Sequence, residues 1–205
     1  MAPAPRGSYS TDRRSSVGFV AFLFGILFTL FVLVAGGWVY FKYGHPPVAV
    51  ADKPFPMEAQ IVHIPLDERI NREVEQPPFG TSEEVYESGA KIYMASCAMC
   101  HGTPGHESTI GKWEYPNAPQ LFKKHSHGNV VGVSDDEPGE TYWKVKNGIR
   151  LTGMPSYEHV YTTAQMWQVS LLMKNADQTL PEPVKAILAG SATAQIVPTL
   201  GTVTQ

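Results

Sequence analysis

Residues 17–41, VGFVAFLFGILFTLFVLVAGGWVYF, form a continuous apolar run without a charged side chain. No other feature restricts the fold as much. At about 1.5 Å rise per residue, a helix over this run crosses a hydrocarbon core of about 30 Å. It has no polar face to turn toward water, which argues against a buried helix of a soluble domain. Arg6, Arg13 and Arg14 precede it, and only Lys42 follows closely. The positive-inside rule therefore puts the N-terminus in the cytoplasm and the chain after Tyr43 on the outer side. Trp38, Tyr40 and Tyr43 stand where an interfacial aromatic belt is expected. Ala49-Val50-Ala51 has the small residues of a signal-peptide cleavage site, but the apolar run far exceeds a signal-peptide core. The reading favoured is a retained single-pass anchor.

Five segments follow from composition. Residues 1–16 are a polar stub and residues 17–42 the anchor helix. Residues 43–80 hold Pro46, Pro47, Pro54, Pro56, Pro65, Pro77 and Pro78, so they are expected to form an extended strap. Phe55, Ile61, Val62, Ile64, Leu66 and Phe79 give that strap apolar groups to bury, unlike a Gly/Ser tether. Residues 81–180 are expected to be the main domain and residues 181–205 a tail. Within the domain, Thr81 or Ser82 caps a helix with Glu83 and Glu84 in its first turn, running to about Ser96. Gly89 inside that helix points to close packing. A loop-rich stretch leads to a helix near Glu140–Asn147, ended by Gly148. Thr162 or Thr163 caps a last helix near Ala164–Asn175.

Cys97-Ala98-Met99-Cys100-His101 contains the only two cysteines in the chain. C-x-x-C-H is the pattern of covalent c-type haem attachment: each thiol adds across one haem vinyl group, and the histidine coordinates iron. The alternatives are weaker. A redox-active C-x-x-C needs a preceding strand and a parallel sheet. A structural zinc site wants four ligands, and only His125 and His127 offer themselves as additions. A Cys97–Cys100 disulfide would close too small a loop to stabilise much.

From roughly Thr81 to Leu180, about half the chain, the sequence resembles a class I c-type cytochrome. It is most similar to the single-haem domains attached to respiratory quinol-oxidising and haem–copper oxidase complexes. Gly89-x-x-x-Tyr93-x-x-x-Cys97 is similar to the family's N-terminal helix, in which Gly and the aromatic pack on the C-terminal helix. Ala118-Pro119-x-Leu121 resembles the loop whose proline carbonyl accepts a hydrogen bond from the proximal histidine. Residues 147–157, NGIRLTGMPSY, resemble the distal-ligand loop, and the helix with Trp167 resembles the closing helix. Leu172 departs from the pattern, standing where the family often has an aromatic. The resemblance implies an all-α fold: three to five helices around one covalent haem c, here preceded by a transmembrane helix and the strap.

Met154 is the favoured sixth ligand, in a Gly/Pro-rich loop that can aim a soft, neutral thioether at iron. Met166 and Met173 read as core filling, and Met94 and Met99 lie too near the attachment site. The rivals are His106, His125, His127 and His159, each in polar loop sequence. Arg150 is the candidate partner for a haem propionate, because guanidinium suits carboxylate bidentately. Trp113, Tyr115, Trp143 and Tyr157 are further candidates to cover the haem.

The net charge is −3, with an acidic Asp135-Asp136-Glu137 run and no basic stripe for nucleic acid. The function expected is single-electron transfer on the outer face of a bacterial inner membrane, with no small-molecule substrate and no catalysis. Its partners would be the membrane and a protein donor and acceptor, within a multi-subunit respiratory or photosynthetic complex. A tethered mobile shuttle and a haem-based ligand sensor are the alternatives.

Overall fold

The structure is a computed structural model that describes residues 12–190; the stub up to residue 11 and residues 191–205 of the expected tail lie outside it. The chain divides into two compact units, Met1–Phe55 and Pro56–Gln205. The first is built on helix α1, Asp12–Tyr43. Its stretch Gly18–Tyr43, 26 residues, is long and apolar enough to cross a membrane, about 39 Å at helical rise. The Thr29 hydroxyl donates to the Gly25 carbonyl at 2.8 Å, so this polar group is satisfied within the helix. The Lys42 ammonium sits 4.7 Å from the Trp38 ring centre, close to the C-terminal end of α1.

The second unit contains α2 (Glu58–Glu73), α3 (Glu83–Ser96), α4 (Ala98–His101), a single 3-10 turn (Gly111–Trp113), α5 (Pro138–Asn147), α6 (Thr163–Lys174) and α7 (Glu182–Leu188). It is all-helical among the described residues, apart from two isolated bridges. Local chemistry explains the helix starts. The Ser82 hydroxyl accepts the Val85 N–H at 3.2 Å, and Glu83 and Glu84 follow in the first turn. Thr162 and Gln165 form a reciprocal capping box. Pro138 opens α5, where its missing N–H costs nothing.

The core forms where α3 crosses α6. Gly89 makes the crossing possible: a Cβ there would lie 2.5 Å from the Gln168 carbonyl oxygen and 3.2 Å from the Leu172 Cβ. Leu172 is fully buried at this contact, so the aliphatic side chain fills the place where an aromatic is common. The Tyr142 ring of α5 stacks on Trp167 of α6 at 4.0 Å between centres. Tyr93, Trp167, Leu172, Val184 and Leu188 are all buried in one cluster.

Two segments differ from their sequence reading. The strap of residues 43–80 is not extended throughout, because α2 occupies its middle. The prolines cluster on both sides of α2, and only Pro65 lies within it. An interior proline costs a helix about 3 kcal/mol. Tertiary docking offsets this: Ile70 is buried, the Trp143 indole N–H donates to Glu73 at 2.8 Å, and the Arg69 guanidinium lies over the Trp143 ring. The start of the expected tail is likewise structured. It forms α7, which packs on α3 and buries Val184, Ile187 and Leu188.

Two outcomes are expected. G89A overpacks the crossing and lowers stability by about 1–3 kcal/mol, read as a fall in the thermal midpoint of the haem-loaded chain. Glu73 is held below its ordinary value of 4.5, first by the Trp143 indole and then by Arg69. A depressed folded-state value stabilises docking above pH 4.5, and that contribution is lost as pH falls through the folded value. Hydrogen-exchange protection of α2, corrected for intrinsic rates, should fall below pH 4.5, and W143F should show the loss already at pH 7.

Candidate haem-binding site

α3 ends at Cys97, whose N–H still bonds the Tyr93 carbonyl at 2.8 Å. The chain then makes one further turn, α4, so that Cys97, Cys100 and His101 are presented together. The buried Tyr93 hydroxyl donates to the Gly102 carbonyl at 2.7 Å and closes that turn. Tyr93 therefore packs toward the motif, with its ring edge-on to Phe122, as well as lying in the core shared with α6.

His101 Nδ1 lies 2.7 Å from the Pro119 carbonyl oxygen. A carbonyl only accepts, so Nδ1 carries the proton and Nε2 keeps its lone pair for a metal. Burial pulls the His101 pKa down, opposed by the Pro119 bond and by the charge of Glu114. The imidazole is thereby favoured in its neutral, ligating form. Burial pushes the Cys97 thiol up to about 12. The Cys100 thiol is pushed up to about 11, chiefly by donating to Glu114. Neither cysteine forms a disulfide.

The Pro119 loop is fastened by Gln120, a residue that sequence reasoning did not single out. Its side-chain oxygen accepts the Ser108 N–H at 2.6 Å, and its amide nitrogen donates to the carbonyls of Cys100 and Ala118, both at 3.2 Å. One side chain thus ties the loop after the motif, α4 and the Pro119 loop together. Nothing in the local sequence signals this, since the partners lie up to twenty positions away.

The Met154 loop begins where Gly148, at φ 67°, ends α5. A Cβ there would meet the Ser156 nitrogen at 2.6 Å, so the reversal requires glycine. The Thr152 hydroxyl donates to the Ile149 carbonyl and accepts the Met154 N–H, at 2.7 and 3.1 Å. The Tyr157 hydroxyl then donates to the Ser96 carbonyl at 2.9 Å, strapping the loop to the end of α3. Burial and the nearby Cys97 push Tyr157 up to about 12. Met154 is half-buried against the core cluster.

The other candidates separate clearly. Arg150 is exposed on the Met154 loop. Trp113 is 73% exposed. Trp143 is buried, with its indole N–H bonded to Glu73 of α2. His106, His125, His127 and His159 are all exposed, and the His106 ring nitrogen contacts the Pro104 carbonyl at 3.3 Å. Among the described residues, no three or more His, Cys, Asp or Glu side chains converge as a metal cluster, so His125 and His127 do not join the cysteines.

Residues 84–173, a little under half of the chain, match the family model of cytochrome c oxidase, cbb3-type, subunit III. These residues form a class I c-type cytochrome domain. No curated protein matches the chain. The cytochrome domain carries covalently bound haem c with its iron, and its work is electron transfer. The protonated His101 Nδ1 and the two thiols on one turn are chemically suited to that group. Removing the loop fastener tests this arrangement. Q120A leaves the Ser108 N–H and the Cys100 carbonyl without their side-chain partner and should cost about 1–3 kcal/mol, read from the denaturant midpoint.

Proposed function

We propose that this chain is a membrane-anchored monohaem cytochrome that relays single electrons as a fixed subunit of a larger respiratory or photosynthetic complex. Cys97 and Cys100 form the thioethers, and His101 and Met154 are the axial ligands. The observation that carries the reading is the 2.7 Å His101–Pro119 bond on the C-x-x-C-H turn. It orients the ring and leaves Nε2 for iron, and the Met154 loop is strapped to the same end of α3 by Tyr157. When bound, the haem cycles between ferric and ferrous iron, and a neutral thioether ligand favours the ferrous state. The protein's own part is to hold the imidazole, keep the site partly dry and prevent a ligand from leaving. Arg150 is the proposed propionate partner.

α1 is proposed to span a bacterial inner membrane with the arginine-rich N-terminus inside and the haem domain on the outer face. Membership of a complex is supported by α2, which leaves Ile61, Val62 and Ile64 between 55% and 64% exposed. Those side chains gain nothing from a free tether and suit burial against a neighbouring subunit.

Intact mass of the purified chain should equal the polypeptide plus one haem, and the ferric protein should show the weak red absorption band of an iron–thioether bond. M154A should abolish that band, lower the reduction potential and admit CO to the reduced iron. Rapid CO binding by the unmodified chain would sink the His/Met assignment. Migration at its own mass in mild detergent would sink the fixed-subunit assignment.

A further inference from the structure

We propose that Glu114 is an electrostatic tuning residue that holds the haem reduction potential down, and that Gly153 is small to leave room for its carboxylate. The proposal rests on the haem assignment above and concerns a residue outside the attachment and ligand set. Glu114 follows the 3-10 turn directly. That turn is pinned against α4: Gly111 presses on the Cys100 carbonyl, and its N–H donates to the Ser108 hydroxyl at 2.9 Å. Its carbonyl accepts the Ala118 N–H at 2.9 Å.

The half-buried Glu114 side chain is consequently aimed between the two halves of the site. On one side its carboxylate reaches the Cys100 sulfur, which donates to it as the free thiol and has no proton to donate once the thioether forms. On the other it lies beside the Met154 loop, where a Cβ on Gly153 would be 2.8 Å from Oε2 and 3.0 Å from Cδ. Its charge also reaches His101, where it opposes the effect of burial. Among the described residues no lysine, arginine or histidine forms an ion pair with Glu114. The carboxylate therefore has no ion-pair partner among the described residues.

Ferric haem carries one more positive charge than ferrous haem. A neighbouring anion stabilises the ferric form, and in a partly dehydrated crevice salt screens this little. Met154 raises the potential and Glu114 opposes it, so the working value is set between the two.

The test uses the full haem-loaded chain and spectroelectrochemical titration. E114Q keeps the shape and removes the charge. At a fixed potential its ferrous-to-ferric ratio should rise at least threefold, about 28 mV at 59 mV per tenfold for one electron. E182Q removes the same charge from an exposed position on α7 and should leave the ratio unchanged. An unshifted potential in E114Q, an equal shift in E182Q, or a shift accompanied by loss of the red iron–thioether band would each overturn the proposal. Should E114Q fail to take up haem, G153A decides. It pushes the carboxylate aside while keeping the charge, and it should raise the ratio by a smaller factor; an unchanged potential there overturns the proposal too. Absence of haem from the unmodified chain would instead overturn the haem assignment and is read separately by intact mass.

Discussion

The crossing of α3 and α6 at Gly89 is the contact on which the haem domain depends. Because residue 89 has no side chain, the two backbones approach until its Cα faces the Gln168 carbonyl. That approach lets Trp167 stack on Tyr142 and buries Tyr93, Leu172 and Val169 on the same interface. It also fixes the C-terminal end of α3. The Cys97 N–H is bonded into the last turn of that helix, so the position of the crossing becomes the position of the C-x-x-C-H turn. Close packing transmits placement over this distance because a dense interior offers few alternative arrangements.

Around the motif, the controlling physics is partial dehydration. Burial disfavours charge on His101, and the Pro119 carbonyl sets which nitrogen holds the proton. The result is a neutral imidazole with one lone pair in a defined direction. Glu114 is half-buried beside the same motif. Its carboxylate lies beside Gly153 and reaches the Cys100 sulfur. On the assignment proposed above, that charge and the Met154 thioether act on the haem equilibrium in opposite senses.

Much of this was legible along the chain because the signals are local. Ser82 with Glu83 and Glu84, and Thr162 with Gln165, specify helix starts within one turn of backbone. The glycine at 148 marks a helix end and the entry to the Met154 loop. The pairing of His101 with Pro119, expected from family resemblance, is present as a direct hydrogen bond. The extended strap was misread for a physical reason. The prolines of residues 43–80 flank a helix whose one interior proline is tolerated because Ile70 and Glu73 dock on α5. The tail was misread because Val184, Ile187 and Leu188 become a pattern only once α3 supplies the surface they cover.

By itself, the sequence determined the apolar helix of α1, the capped starts of α3 and α6, the end of α5 at Gly148, and the paired thiols with the following histidine. Each of these is encoded within a few consecutive residues, by helical periodicity, capping or covalent spacing. Only the tertiary structure decided that α2 closes on Trp143 across seventy positions and that Tyr157 straps the Met154 loop to Ser96 across sixty-one. It alone placed Gln120 across α4 and the Pro119 loop, and Glu114 beside Gly153. These contacts join groups far apart in the chain, and their existence depends on where the packed core leaves a donor, an acceptor or an open volume.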